Sequence, residues 1–351
     1  MRHRIWLGAS AALALTVSFA ASAETPSGEI TLQAYAGIFR ENYTAAVVEP
    51  FLKKFPGVKV TYYEGGSSAQ MLGNLRAQKS SPQTDVTIQD VSVQKVANDE
   101  GLYAELDPAE LPNLNDLSPM ARVAGKFGPA VTFDHLTLIY GTETVKPAPT
   151  GLKDLWDPKQ KGQIAFAAAP DIIGLSLTIL TNKMEGGDYK QSIDAGVKKL
   201  REMAPLVQTF DPQPDNYTLI INGTARLGVA WNARSQLYAD ISKGKLGVIL
   251  PAEGSAFQIN TINLTQGSKN PVAAKAFINY ALGREAQKAF TERMFYAPVN
   301  AKAEVSPAAL ARTAAAPENM AKMVPIDWVF VSTVRDKWND RWRREIISAS
   351  R

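Results

Sequence analysis

Cysteine is absent from the 351 residues. That excludes disulfides, thiol nucleophiles, thiolate metal sites and iron–sulfur clusters. Histidine is nearly absent, with only His3 and His135. A histidine-built metal site and most histidine-dependent catalysis are thereby set aside, and no metal or cofactor is expected. An excess of one charge is also missing: 38 basic residues face 34 acidic ones, for a net charge of +4. So even a balance does not make a polyanion-binding surface, and no nucleic-acid partner is expected. Apolar residues make up 45% and charged residues 21%, ordinary for a chain with one large core or two smaller ones.

Long apolar runs are confined to the start. Arg2 and Arg4 precede an apolar stretch from Ile5 to Ala21, which ends in Ala21-Ser22-Ala23 before Glu24. This order of charged, apolar and small residues predicts a secretory signal over 1–23, cleaved between Ala23 and Glu24. No cysteine follows to carry a lipid. The expectation is a periplasmic protein. Cleavage removes two of the basic residues and no acid, which lowers the net charge from +4 to +2.

Beyond the signal, strand and helix patterns alternate. Strands are predicted at ITLQAYA, at 58–63, 85–88, 136–140, 164–167, 227–231 and 246–250, and helices at 44–55, 69–79, 172–184, 193–203, 271–282, 284–294 and in the tail from Ser306. Pro50 interrupts the first helix. Asn270 and Pro271 fit the cap and first position of the clearest one. Alternation of this kind predicts an α/β fold with mainly parallel sheets flanked by helices.

Several segments carry a family likeness. They are the opening strand ending Tyr35-Ala36-Gly37, VVEPFLKKFPGVKVTYYEG, TDVTIQD, GLKDLWDPKQKGQIAF, INGTARLGVAWNARS, and SKNPVAAKAFINYALGREAQKAF followed by Tyr296-Ala297-Pro298-Val299-Asn300. In this order the chain resembles the periplasmic solute-binding proteins of ATP-driven importers, most nearly the spermidine/putrescine-binding branch. The resemblance implies a two-lobed, type II periplasmic-binding fold with two interlobe crossings, which closes on a small solute and docks as a monomer on an inner-membrane ABC permease. The crossings are expected near 130–136 and 250–257. Residues 24–132 and about 255–300 would form lobe 1 and about 136–250 lobe 2, with the helices of 301–351 left open between them.

Ligands in such folds lie at the carboxyl ends of parallel strands. That rule selects Tyr35, Gly37, Phe39, Ser67, Ser68, Asp90, Ser92, Asp171, Trp231, Asn232, Arg234, Gln258, Asn260 and Tyr296. The resemblance aligns Trp231 and Tyr296 with aromatic walls. It also places Gln258 and Asn260 where polyamine-binding relatives carry a tryptophan and an aspartate. A neutral amide is a weaker counter-charge for an ammonium than a carboxylate. Ser67-Ser68 at a helix start and Arg234 after the tryptophan suit an anion. The expected solute is therefore a small polar molecule with an anionic group, an amino-acid derivative, opine or organic acid, with Asp90 serving an amine. A polyamine is the alternative within the same fold. An exported enzyme is the alternative of another class, although no G-x-S-x-G, P-loop or H-E-x-x-H stands in the chain.

Overall fold

The computed structural model describes residues 25–123 and 125–350. The segment predicted as a signal, 1–23, lies outside the described residues. Among the described residues there are ten strands: β1 (Gly28–Tyr35), β2 (Val58–Gly65), β3 (Val86–Asp90), β4 (Ala130–Gly141), β5 (Ile164–Ala165), β6 (Val207–Thr209), β7 (Leu227–Trp231), β8 (Leu246–Ile249), β9 (Ser255–Leu264) and β10 (Met323–Val324). They run in the order β2-β1-β3-β9-β4-β7-β5-β6, with β8 also paired to β4 and β10 to β9. The outer pairs β1–β2, β1–β3, β5–β6 and β5–β7 are parallel, as βαβ crossovers require. The middle is antiparallel, because β4 and β9 are long neighbours that run in opposite directions.

These two strands depart from the expected pattern. A strand was expected only over 136–140, yet β4 begins at Ala130. Asp134 and His135 fall in the crossing expected near 130–136, but both are buried in the strand, where Asp134 Oδ1 accepts from the adjacent His135 N–H and from the distant Ala233 N–H. Through Ala130–His135, β4 pairs with β9, and through Leu136–Gly141 with β7 and β8. No strand is predicted over β9, whose first residues overlap the crossing expected near 250–257. Gln258, Asn260, Thr261 and Asn263 hide it from a hydrophobic reading, and all are buried or nearly so.

The helices are α1 (Ile38–Tyr43), α2 (Glu49–Lys54), α3 (Ser68–Ala77), α4 (Val91–Asp99), α5 (Ile172–Met184), α6 (Asp194–Met203), α7 (Asn216–Ile221), α8 (Asn232–Ile241), α9 (Pro271–Ala281), α10 (Arg284–Met294), α11 (Pro307–Leu310), α12 (Pro317–Met320) and α13 (Trp328–Arg341). The first predicted helix starts earlier than expected, at Ile38, after Gly37 in a positive-φ conformation (64°) that glycine adopts without strain. A π turn over Thr44–Val48 joins α1 to α2. Its wider loop falls where Pro50 has no N–H to give the preceding turn. α9 starts as its sequence predicts, with the Asn270 side chain accepting from the Ala273 N–H.

Two large cores flank the middle of the sheet. One gathers Ile30, Leu32, Phe39, Phe51, Ile88, Phe277 and Phe290 around β1, β3 and α9–α10. The other gathers Leu136, Leu138, Phe166, Leu177, Val229, Trp338 and Trp342 around β4, β7, α5 and the C-terminal helix. α13 also reaches back: the Trp328 indole N–H donates to the Phe257 carbonyl in β9, and α13 lies along α4.

Candidate functional site

A cleft of about 930 Å³ opens where the strand ends of the two parts converge. Ten of the fourteen predicted residues line it: Tyr35, Gly37, Ser67, Ser68, Asp90, Asp171, Trp231, Arg234, Gln258 and Tyr296. Four do not. Phe39 is fully buried behind the wall, edge-on to Tyr35 and Tyr296 at 5.3 and 5.8 Å between ring centroids. Ser92 is buried beneath Asp90. Asn260 lies under Tyr35, accepts its phenol hydrogen at 2.9 Å and donates to Thr132 Oγ1. Asn232 turns away, and its amide donates to the Arg312 carbonyl at 2.8 Å. The helix period explains the last case. Asn232 and Arg234, two apart in α8, point about 200° from one another, so Arg234 faces the cleft and Asn232 does not.

One wall is a hydrogen-bonded set. Because the Tyr35 phenol donates to Asn260, it accepts from the Ser68 hydroxyl at 2.8 Å, and Ser68 Oγ in turn accepts from the Asp90 N–H at 2.9 Å. Ser68 is thus engaged by protein partners and is not the free anion donor that its position at a helix start suggested. Ser67 is the N-cap of α3 and accepts from the Gln70 N–H. The Gly66 N–H is taken by the Gln70 side chain.

Two aspartates cap neighbouring helices. Asp90 begins α4 and accepts from the Ser92 N–H and hydroxyl through Oδ1. Asp171 begins α5 and accepts from the Ile173 N–H through Oδ1 at 2.8 Å. Among the described residues, the second oxygen of each has no hydrogen-bond partner. Burial raises the Asp171 carboxyl to about 6; the Ile173 N–H opposes this, Asp90 adds to it, and Arg335 and Arg234 counter it.

Opposite charge comes from Arg234. Its guanidinium lies 5.8 Å from the centre of the Tyr35 ring, a cation–π distance. Among the described residues, no carboxylate lies within 4 Å of it. Trp231, Tyr217 and Tyr296 complete an aromatic surround, with Tyr296 stacked on Phe290 at 5.4 Å. Burial holds the phenols of Tyr35, Tyr217 and Tyr296 well above their ordinary range, so they remain neutral. At the floor, Gln258 is only 4% exposed; its amide N–H donates to Asn260, and its buried carbonyl oxygen has no hydrogen-bond partner among the described residues.

Sequence reasoning weighed Asp211 and Asp215 only as a carboxylate pair for an enzyme and missed Phe210, Tyr217 and Tyr238. Phe210, Asp215 and Tyr217 line the cleft. DPQPDN reads as a turn, yet Asp215 caps α7 by accepting from the Thr218 N–H at 2.7 Å, and its other oxygen accepts from the Tyr238 phenol. The available signal was an aspartate before a short apolar run, together with a strand, β6, ending just before Phe210.

Comparison with known proteins fits this geometry. Residues 46–321 match the family model described as bacterial extracellular solute-binding protein. The spermidine/putrescine-binding periplasmic protein of Escherichia coli (strain K12) is 26% identical over 272 residues, covering 74% of this chain and 76% of that protein. The gamma-aminobutyric acid-binding protein of Pseudomonas aeruginosa PAO1 is 24% identical over 295 residues, covering 81% and 80%. A crystal structure of an ABC transporter chain from Clostridium perfringens ATCC 13124 superposes with a TM-score of 0.70 at 25% identity, covering 90% of this chain and 99% of that one. The fold and site define a two-lobed solute-binding protein. The chain belongs to the bacterial extracellular solute-binding protein family.

Proposed function

We propose that this protein captures a short zwitterion, an amine and an anionic group joined by a few methylenes, and presents it without turnover to an ABC permease in the inner membrane. The carrying observation is charge placement. Arg234 lies in the cleft without a carboxylate partner within 4 Å among the described residues, while Asp90 and Asp171 each have one oxygen without a hydrogen-bond partner. An arginine fork suits a carboxylate or phosphonate, and paired aspartates suit an ammonium. The unpartnered Gln258 carbonyl adds an acceptor for the amine. Tyr35, Trp231 and Tyr296 supply apolar and π faces for the methylenes. The relative that binds gamma-aminobutyric acid has a ligand of this form. The export signal over 1–23 and a periplasmic location belong to the same reading.

The hinge then lies where β4 and β9 run between the two cores, near His135–Leu136 and Ser255–Gln258. One observation favours a diamine instead: four aspartates, Asp90, Asp171, Asp211 and Asp215, line the cleft against the single arginine. Calorimetry with γ-aminobutyrate and putrescine separates the two. On the zwitterion reading γ-aminobutyrate binds, and Arg234→Ala weakens it more than about tenfold, the loss of a buried charged hydrogen bond. Putrescine binding that is indifferent to Arg234→Ala would overturn this reading.

A further inference from the structure

Arg335, near the middle of α13, is only 8% exposed and does not line the cleft. Among the described residues, no carboxylate lies within 4 Å of its guanidinium. Its fork instead holds two uncharged oxygens from opposite parts of the molecule: Nη1 donates to Ser92 Oγ at 2.5 Å, and Nη2 to the Pro170 carbonyl at 2.7 Å. Ser92 Oγ in turn donates to the Asp90 carboxylate. Pro170 immediately precedes Asp171. A single buried cation is therefore linked to one cleft aspartate through one intervening hydroxyl and to the carbonyl that immediately precedes the other.

We propose that Arg335 is the positioning residue of the amine end of the cleft, holding Asp90 and Asp171 at one spacing when Ser92 and Pro170 are both on its fork, as they are here, and setting how much net negative charge the pair presents. The fork is essential to the first role. A lysine is a point charge and cannot hold Ser92 and Pro170 in one plane. The charge is essential to the second. With Arg335 behind them, the two carboxylates are partly neutralised, so one ammonium satisfies the pair and the rest of the solute is free to be anionic. Without it the cleft loses one positive charge and, at a pH where both carboxylates are ionised, favours a dication. The groups that face Asp171 are Asp90, Arg335, Arg234 and the Ile173 N–H, so Arg335 is one of two cations that keep its carboxyl from rising further.

The ligand part of this inference rests on the cleft being the solute site; the titration part does not. The test compares wild type, Arg335→Gln and Arg335→Lys by calorimetry with γ-aminobutyrate and putrescine. In parallel, the Asp171 carboxyl is titrated in the ligand-free protein by carbon-13 NMR. Arg335→Gln is expected to raise the affinity ratio of putrescine to γ-aminobutyrate by about tenfold, because one nearby charge is removed. Arg335→Lys, which keeps the charge and loses the fork, is expected to weaken both probes while holding the ratio within about threefold. Asp171 should titrate at higher pH in Arg335→Gln and close to wild type in Arg335→Lys. A simple packing role predicts that both probes weaken by the same factor in Arg335→Gln and that Asp171 does not move; that result overturns the proposal. If wild type binds neither probe, the zwitterion reading of the cleft fails, and the titration alone decides the case for Arg335. If Arg335→Gln does not fold, unchanged affinities in Arg335→Lys overturn the proposal.

Discussion

Asp134 is where residue chemistry and cleft geometry meet. It is buried in β4, and both carboxylate oxygens accept from the Ala233 N–H at the start of α8, the helix that carries Arg234. Burial pushes its carboxyl up to about 8, against the pull of the His135 and Ala233 N–H groups and of Arg234. The folded protein therefore binds this proton more tightly than the unfolded chain does. Its contribution to stability is full below the unfolded value of 3.8 and is lost as pH rises through about 8. Asp171 acts in the same direction but is finished by about 6, and His135, pushed down to about 3, acts oppositely on the acid side. Between pH 6 and 8 the decline should thus belong to Asp134. Asp134→Asn keeps an acceptor for Ala233 and should flatten that limb, as read from urea midpoints across the window; a persistent slope would assign it elsewhere. Arg234 and Trp231 were legible in the sequence because they sit at a strand end three residues apart. Asn232 and Phe39 were misplaced because strand-end proximity says nothing of which way a side chain turns.

At the scale of elements, legibility followed hydrophobic pattern and capping. α9 was visible because Asn270-Pro271 marks its start and an apolar stripe follows. β4 and β9 were partly invisible because their polar residues are satisfied by partners distant in sequence, such as the bond between Asn260 and Thr132. The tail read as helical, but nothing local shows that Trp342 enters the second core. There it is fully buried, edge-on to Phe166 and Phe210, with its indole N–H donating to Thr178 Oγ1 at 2.8 Å. Trp342→Ala should leave a cavity and remove one of the two hydrogen bonds of the Thr178 hydroxyl, which still donates to the Gly174 carbonyl, and lower unfolding stability by about 3–5 kcal/mol. Denaturant titration measures this. A loss under about 1 kcal/mol would mean that the C-terminal segment docks too loosely to brace that core.

At the scale of the molecule, the question is what couples occupancy to shape. The groups proposed to hold the solute come from both sides: Tyr35 and Asp90 follow strands of the first core, and Asp171 and Arg234 follow strands of the second. A solute that touches all four has more contacts when the sides approach, and a ligand shifts a conformational equilibrium only by such differential contact. The two long strands are the natural place for rotation, since their register continues through the region between the cores. Binding should therefore reduce the radius of gyration in solution scattering. At a ligand concentration about one hundred times Kd, it should also raise unfolding stability by about 2.7 kcal/mol. Arg234→Ala separates the causes. Because no carboxylate lies within 4 Å of Arg234 among the described residues, its removal should cost unfolding stability without ligand only about the 0.5–1 kcal/mol of its cation–π contact with Tyr35 while abolishing both responses to γ-aminobutyrate. Compaction that survives in this variant would show that closure is driven from the aspartate side alone, and the anionic half of the solute would then have no role in shutting the cleft.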